Sequence, residues 1–418
     1  MRNIHQFKPI ILEIIISVFL VFIGFNFVQA QGKGKPPNKP KCNYNGICEK
    51  GENSDCPDCQ QQPSPPLQIE HDNLQIVSGS GISDKKVYQV KYLNGNYSNT
   101  WYSSVNQGHT PATSIGDVDN DGLKEIITVV NAIKSNGSPK QRYSYKKIFV
   151  YEDGSTGEPS YISHDLGYTL DGVRDSIIAD ADNDGLNEIV LVVNDHIEIY
   201  EWDGSGFSHL WTGPVYDEPV WSVDVGDADN DGFNEIVLAM FRIGSSIVYD
   251  YLGDNTWGNP VITESIGSYN IDQAKIRDAD GDGFNEIIGG GTSNRLNIWK
   301  YINGYYVNVF LSEDLGGFTQ GVDAGDVDGD GFNEVIAGSS GEIDMVYVFK
   351  YNENLDTYGM IAWASLNSGV ARLAAGDLDN DNIDEIAVGS SGVSVFKLIN
   401  GILEFIYNFS EGGYVEIG

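Results

Sequence analysis

Basic residues are scarce in this sequence of 418 residues. It has 25 Lys and Arg against 60 Asp and Glu, which gives a formal net charge of −35. Nucleic acids and anionic membrane surfaces attract proteins through positive charge, so this balance argues against both as partners. Cations are the expected partners.

Cysteine is almost absent, and its four copies are confined to one short stretch. They are Cys42, Cys48, Cys56 and Cys59. In an exported protein such a cluster favours two disulfides, and the sequence leaves the three possible pairings open. Zinc binding is the alternative, because Cys56-x-x-Cys59 has the spacing of a ligand pair, although no histidine lies nearby. Pro- and Gly-rich flanks make 31–66 a linker that carries this Cys-rich disulfide segment.

The usual catalytic motifs are missing as well. The chain has no G-x-S-x-G or H-E-x-x-H sequence, and its six histidines are scattered. Nucleophilic and zinc catalysis therefore have no recognisable motif, and only catalysis by scattered carboxylates stays open. The sequence favours a protein that is not an enzyme.

The N-terminus has the pattern of an export signal. Basic residues precede an apolar run over 14–25, and Val28-Gln29-Ala30 forms a small-residue cleavage site. This pattern predicts a signal peptide over 1–30, a secreted or cell-surface protein, and no membrane insertion after cleavage. A retained membrane anchor is the alternative, although Glu13 weakens it.

An Asp-rich motif, D-x-D-x-D-G-x-x-E, recurs six times. The copies begin at Asp117, Asp180, Asp227, Asp278, Asp326 and Asp377, at intervals of 63, 47, 51, 48 and 51 residues. A short strand precedes each motif and an apolar strand follows it, as at 221–226 and 235–240. A second hairpin of alternating β-branched and aromatic residues comes next, as at 196–200. Four antiparallel strands in each such period are typical of a β-propeller blade.

The chain ends supply a seventh blade. An outer hairpin without a loop stands at 87–102, the strand at 414–418 resembles the first strand of the other repeats, and 74–77 can pair with it. We therefore predict an all-β fold, a seven-bladed β-propeller over 67–418 in which the N- and C-terminal strands close one composite blade. The small Cys-rich segment precedes it. Ring closure leaves no free sheet edge, which favours a monomer.

The Asp-rich loops are predicted to bind about six structural Ca²⁺ ions. Calcium takes six to eight oxygen ligands, alternate loop positions can direct three carboxylates inward, and Gly allows the sharp turn. The residue after Gly would offer its carbonyl and the Glu would close the site. The predicted ligands are Asp117, Asp119, Asp121, Leu123, Glu125, Asp180, Asp182, Asp184, Leu186, Glu188, Asp227, Asp229, Asp231, Phe233, Glu235, Asp278, Asp280, Asp282, Phe284, Glu286, Asp326, Asp328, Asp330, Phe332, Glu334, Asp377, Asp379, Asp381, Ile383 and Glu385.

Other interpretations of the loops are weaker. An EF-hand needs helices on both sides and a Glu at position twelve, where these loops have residues such as Thr128 or Leu191. Magnesium is less favoured, because it prefers strict octahedral geometry with several waters, whereas these loops supply protein ligands. The alternative to metal binding is that the Asp residues form solvated turns. We expect Phe233 to plug the core between blades, and Asn382, which replaces Gly in the sixth loop, to keep that site because Asn tolerates the left-handed conformation.

The loops at 116–125 and 325–334 resemble the FG-GAP/VCBS-type repeats of secreted microbial proteins and, more distantly, the propeller of integrin α subunits. The resemblance covers about 67–418 and implies a seven-bladed, calcium-binding propeller that is usually extracellular and often adhesive. It implies no single activity. The Phe-Gly and Gly-Ala-Pro elements that give the integrin repeats their name are not evident.

Two regions are candidates for ligand binding. Polar residues of the first strands are predicted to line the central channel, with a water-filled channel as the alternative; they are Asp175, Asp224, Lys275, Asp323, Arg372 and Glu416. The longest interval contains an insertion rich in basic and aromatic residues, with a merely longer hairpin as the alternative. The candidate ligand-binding residues are Lys140, Arg142, Tyr143, Tyr145, Lys275 and Arg372.

The leading hypothesis is an extracellular, calcium-stabilised module that binds or adheres to a protein or glycan. One rival is a polysaccharide lyase or hydrolase on the same scaffold. Another is a passive structural protein of the cell envelope. Perturbed carboxylates or a basic residue grouped in one cleft would favour the enzyme, whereas a binding protein needs only a complementary surface.

Overall fold

The computed structural model describes residues 74–79, 84–104, 109–135, 142–152, 156–166, 168–169, 172–258 and 260–418. The predicted signal peptide over 1–30, the Cys-rich segment over 31–66 and the predicted start of the propeller at residue 67 lie outside these ranges. The described residues contain no helix that is long and apolar enough to cross a membrane.

All regular elements of the described part of the chain are β-strands. The first half contains β1 (Ile76–Gly79), β2 (Val87–Leu93), β3 (Asn96–Tyr102), β4 (His109–Gly116), β5 (Glu125–Ser135), β6 (Arg142–Glu152), β7 (Tyr161–Ile162), β8 (Tyr168–Thr169), β9 (Val173–Ala179), β10 (Glu188–Val193), β11 (His196–Trp202), β12 (Phe207–Thr212), β13 (Val220–Gly226), β14 (Glu235–Met240) and β15 (Ser246–Tyr249). The second half contains β16 (Tyr251–Gly253), β17 (Thr256–Trp257), β18 (Val261–Ile262), β19 (Ile271–Arg277), β20 (Glu286–Gly291), β21 (Leu296–Ile302), β22 (Tyr305–Leu311), β23 (Phe318–Gly325), β24 (Glu334–Ser340), β25 (Met345–Asn352), β26 (Thr357–Ser365), β27 (Arg372–Gly376), β28 (Glu385–Gly389), β29 (Val393–Ile399), β30 (Ile402–Phe409) and β31 (Tyr414–Ile417).

All of these strands except β16 and β17 form seven antiparallel sheets, the blades of a propeller. Blade 1 contains β4 to β7, with β8 paired to β6; blade 2 contains β9 to β12; and blade 3 contains β13, β14, β15 and β18. Blades 4, 5 and 6 contain β19 to β22, β23 to β26 and β27 to β30. The composite blade has the order β31, β1, β2, β3, so the predicted seven-bladed fold is confirmed.

The composite blade joins the two ends of the described chain. Ile76 lies opposite Ile417 and Val77 opposite Glu416, and the backbones of Gln75 and Gly418 exchange two hydrogen bonds of 3.0 and 3.2 Å. Strand β1, which was predicted over 74–77, begins two residues later, at Ile76. Strand β31 also contacts β4 of blade 1, so the innermost strands form a closed ring.

The hydrophobic core lies between neighbouring blades. The second strand of each blade is buried on both faces, which explains its unbroken apolar sequence; all six residues of β10 are buried. Val190 and Val192 of blade 2, for example, share one apolar cluster with Ile236 and Leu238 of blade 3. Each sheet is therefore held by both of its neighbours.

Two blades depart from the regular repeat. In blade 1, β5 and β6 are 11 residues long each, and they pair as far as Ser135 and Arg142. The described part of the insertion therefore continues this hairpin. In blade 3 the predicted third strand is interrupted at Asp250, after which β16 and β17 form a separate hairpin.

Loss of core packing in the composite blade should destabilise the whole ring. Ile76 is fully buried beside β31, so Ile76→Ala should lower the free energy of unfolding by about 3 kcal/mol. Chemical denaturation measures the change. The control Ile402→Ala removes an exposed side chain and should stay within about 0.5 kcal/mol of the parent protein. Equal effects of the two substitutions would contradict the proposed closure.

Candidate metal centres

Each Asp-rich loop gathers carboxylates at one end of a blade. Asp117, Asp119 and Glu125 can each offer an oxygen within 4.8 Å of the others. The corresponding groups in the next four loops are Asp180, Asp182 and Asp184; Asp227, Asp229 and Glu235; Asp278, Asp280 and Asp282; and Asp326, Asp328 and Glu334. Such oxygen-rich groups suit a hard divalent cation.

The first Asp of each loop holds the turn in shape. In the third loop, the Oδ1 of Asp227 accepts a hydrogen bond from the Asp231 N–H at 3.0 Å, and its Oδ2 accepts one from the Gly232 N–H at 3.0 Å. Positions four and six of the loop are left-handed, with φ of 64° at Asn230 and 95° at Gly232. Asn382 also adopts this conformation, with φ of 64°, as expected.

The Glu at position nine closes the loop from the first residue of the following strand. In the second loop, Glu188 accepts the Ala181 N–H through Oε2 at 2.8 Å. Its other oxygen, Oε1, is buried without a hydrogen-bond partner among the described residues, as is Oε1 of Glu125. Burial raises the pKa of Glu188 to about 8 and that of Glu125 to about 7.

The apolar residues of the loops occupy positions that differ from the prediction. Phe233 does not plug the core between blades, because its side chain is 59% exposed. Instead the residue at position two is buried, as for Ala181 and Ala228. The N–H of this residue donates to the loop Glu, which pulls its side chain inward, whereas position seven follows the left-handed turn and points to the surface.

Asparagines link each of the first loops to the next. Asn234 donates from Nδ2 to the Asp180 carbonyl at 2.8 Å, and its backbone N–H donates to Asn183 Oδ1 at 2.5 Å. The same exchange links the first loop to the second and the third to the fourth. These links place successive loops side by side on one face of the ring.

Apolar contacts accompany the links where position four is Gly. A Cβ atom on Gly281 would lie 2.5 Å from the Phe332 ring, and one on Gly329 would lie 2.9 Å from Ile383. Asp384 completes the last link by accepting the Asp326 N–H at 2.9 Å. Sequence reasoning missed these links, although the Asn and Gly residues at positions four and eight were visible in the motif.

Lysines enter the last three loops. Lys300 places Nζ 2.8 Å from Asp280 Oδ2 and 3.1 Å from Glu286 Oε1. Lys350 and Lys397 make the corresponding ion pairs in the fifth and sixth loops. Burial opposes the charge of Lys300, but the surrounding carboxylates outweigh it and raise its pKa.

Charged side chains of the innermost strands pair with one another in the central channel. Arg277 lies 3.2 Å from Asp224 Oδ2 and 3.0 Å from Asp323 Oδ1, and Lys275 lies 3.4 Å from Asp224 Oδ1. Lys275 is buried. Arg277 was not predicted, although it alternates with Lys275 along β19 and therefore lies on the same face of the strand.

The cavity beside these residues is small. It is lined by Asp175, Lys275, Arg372 and Glu416 among others, and its volume of about 10 Å³ holds at most a single water molecule. Burial raises the pKa of Glu416 to about 7. Arg372 donates from Nη2 to the Trp221 carbonyl at 3.2 Å. The geometry gives Lys275 and Arg372 partners within the chain, and their role in ligand binding stays a prediction.

Three of the other ligand candidates lie on the long hairpin of blade 1. Arg142, Tyr143 and Tyr145 belong to β6, opposite Ser135, Lys134 and Ala132, whereas Lys140 lies outside the described residues. Their role in ligand binding stays a prediction.

A larger cleft lies on blade 6 and the connection that leads to it. It has a volume of about 240 Å³ and a lining of serines, asparagines and aromatic rings. The lining residues are Leu366, Asn367, Ser368, Ser390, Ser391, Gly392, Ser394, Phe405, Asn408, Phe409 and Ser410. No titratable side chain is among them.

The fold and the loops define a seven-bladed β-propeller with acidic groups suited to metal ions. A family profile described as an FG-GAP-like repeat matches residues 180–238 and 326–388, so the chain contains FG-GAP-like repeats, as the sequence indicated. A propeller of such repeats fits a binding module. A search of curated proteins finds no significant match.

Solved structures share the fold. A candidate 6-phosphogluconolactonase from Bacteroides uniformis is 13% identical, with a TM-score of 0.55 over 83% of this chain and 100% of that chain. One from Bacteroides fragilis is 12% identical, with a TM-score of 0.56 over 84% and 99% of the two chains. Identities this low show similarity of fold alone.

Without metal, stability should fall as the pH rises. The folded-state pKa values of Glu188 and Glu235 are about 8, above the ordinary value of 4.5, so their protonated forms favour folding. This contribution is complete below about pH 4.5 and is lost as the pH rises through about 8. The melting temperature in chelator should therefore be lower at pH 8 than at pH 5.5. Glu188→Gln should weaken this trend, and Glu404→Gln, at an exposed site, should not. A melting temperature that rises over this range would contradict the assignment.

The asparagine links between loops should stabilise the ring. Asn234→Ala removes the 2.8 Å hydrogen bond to the Asp180 carbonyl and should cost about 1 kcal/mol in the free energy of unfolding, measured by urea denaturation. Asn354→Ala, in an exposed turn, is the control. If the two variants unfold at the same urea concentration, the link contributes no stability.

Proposed function

We propose that this protein is an extracellular, calcium-stabilised propeller that binds a glycan. The observation that carries the ligand proposal is the 240 Å³ cleft on blade 6. Its serine hydroxyls and asparagine amides can both donate and accept hydrogen bonds, as recognition of sugar hydroxyls requires. Phe405, which is 57% exposed, offers an apolar ring beside them. Polar groups next to an aromatic surface suit the amphipathic faces of a sugar ring.

The cleft and the acidic loops lie at opposite ends of the blades. Neighbouring strands are antiparallel, so the loop between the first and second strands lies at one end of a blade, and the turn between the second and third lies at the other. Ser390, Ser391 and Gly392 of the cleft belong to the second kind of turn, as does the long hairpin of blade 1. Ligand binding and metal binding are thus assigned to different faces.

Support for calcium comes from the chemistry of the loops. All ligands are oxygens, and the buried Oε1 atoms of Glu125 and Glu188 have no hydrogen-bond partner among the described residues. A buried, unpaired carboxylate is costly, and a bound cation would remove that cost. Because protein groups surround the position on several sides, we assign the ion a structural role.

Support for an extracellular location comes from two sources. FG-GAP-like repeats are typical of extracellular proteins. The N-terminal sequence also has the pattern of an export signal, and the acidic surface suits a medium rich in calcium.

A polysaccharide-degrading enzyme has less support. The cleft contains no acid or base, and the carboxylates whose pKa values are most raised belong to the loops and the central channel. Similarity of fold to candidate lactonases says nothing about chemistry in this chain at such low identity.

Glycan binding should depend on Phe405. The calcium-loaded full chain should retain at least one glycan in an array screen, and Phe405→Ala should weaken that binding at least tenfold, because it removes the apolar face of the cleft. Titration of the selected glycan by calorimetry measures the change.

Phe233→Ala is the matched control, since Phe233 is equally exposed but lies on the loop face. It should bind as the parent protein does. No binding to any glycan, or equal losses in both variants, would contradict the proposal. If the protein instead binds a matrix protein, and this binding depends on Phe405, the ligand of the cleft is a protein rather than a glycan.

A further inference from the structure

The six acidic loops divide into two classes by the residue that faces the loop Glu across the sheet. In blade 1 Glu125 pairs with Glu152, and in blade 2 Glu188 pairs with Glu201. In blade 3 the pairing of Ile236 with Tyr249 places Asp250 beside Glu235. The first three loops therefore face a fifth acid.

The last three loops face a lysine at the same position. The pairs Ile287 with Trp299, Val335 with Phe349, and Ile386 with Phe396 fix the register. The residues that follow along the third strands, next to the loop glutamates, are Lys300, Lys350 and Lys397. The change from acid to lysine occurs once along the chain, between blades 3 and 4.

The lysine ammonium lies where the loop carboxylates converge. Lys350 Nζ is 2.5 Å from Asp328 Oδ2, 2.8 Å from Asp330 Oδ2 and 2.6 Å from Glu334 Oε1. Lys397 contacts the corresponding three carboxylates of the sixth loop. Positions three, five and nine of the loop, which were predicted as metal ligands, are thus paired with a cation supplied by the chain.

In the acid-facing loops, the described residues pair no lysine with Glu125, Glu188 or Glu235, although all three glutamates are buried. The Oε1 atoms of Glu125 and Glu188 have no partner among the described residues, whereas Oε1 of Glu286, which also lacks a hydrogen bond, lies 3.1 Å from Lys300 Nζ. Glu152 and Glu201 add negative charge at the edge of these groups. Like charges so close together repel unless a cation lies between them.

We propose that the first three loops bind calcium and that the last three are closed by their own lysines in place of an ion. This inference rests on the proposed calcium role and changes its stoichiometry from about six ions to three. An ion entering a lysine loop would have to displace an ammonium that already uses three of the carboxylates, and the displaced charge would stay nearby. Blades 4 to 6 are therefore pinned without metal, and calcium controls only blades 1 to 3.

Native mass spectrometry of the full chain, titrated with calcium, tests the stoichiometry. The parent protein should bind three ions. Asp182→Asn, in an acid-facing loop, should lose one ion at the same calcium concentration, whereas Asp328→Asn, the same position in a lysine loop, should lose none. Glu201→Lys, which converts the second loop to the lysine class, should also lose one, and Glu404→Lys on the exposed side of β30 should not.

Replacement of a lysine gives the converse result. Lys350→Met should gain one calcium ion, and its melting temperature should become more dependent on calcium than that of the parent protein. Lys147→Met, which lies on the third strand of blade 1 away from the loop Glu, should change neither quantity. Six ions on the parent protein would overturn the division into classes while leaving calcium binding intact. If the parent protein binds no ions, the proposed calcium role is overturned as well. If it binds three ions and this number stays the same in Glu201→Lys and Asp182→Asn, the assignment of the ions to the first three loops is contradicted.

Discussion

The structure depends on a supply of positive charge to six groups of converging carboxylates. Each group lies at the start of the second strand of a blade, and its Glu is buried in a position where it also holds the loop backbone. Burial raises the pKa values of these glutamates, and the neighbouring carboxylates raise them further, so the groups oppose folding at neutral pH unless a cation joins them. Without a cation the loops therefore cost stability, and with one they hold the start of each second strand in place.

This restraint extends around the ring because successive loops contact one another. Asparagine side chains connect the first five loops, and apolar contacts at Gly281 and Gly329 accompany the links between the last three loops. The first loop has Lys124 where the others have Asn or Asp, and none of the six Asp-rich loops belongs to the composite blade that precedes it. Ring closure relies there on the pairing of β31 with β1. A cation bound in one loop would therefore also restrain the neighbouring loops, and the proposed ligand cleft lies on the opposite face.

Much of this architecture could be predicted from the sequence. The repeat interval, the alternating strands and the unpaired strand at 414–418 were sufficient for the blade number and the composite blade, because they depend on local pattern and on counting. The interruption at Asp250 and the exposed position of Phe233 were not predicted, since both depend on how a turn directs a side chain. The two classes of loop were also missed, although Glu152, Glu201, Lys300, Lys350 and Lys397 stand in the sequence. Only the pairing between strands shows which residue faces the loop Glu. The channel charges were expected to be available to a ligand, but whether they pair with one another depends on distances across the ring.

Hydrogen–deuterium exchange of the full chain with calcium and with chelator tests the central claim most directly, because it measures each loop separately. Our account predicts that chelation removes protection from the amides of the loops at Asp117, Asp180 and Asp227 and of the strands that follow them. The loops at Asp278, Asp326 and Asp377 should keep their protection. Equal loss of protection in all six loops, or no loss in any, would contradict it.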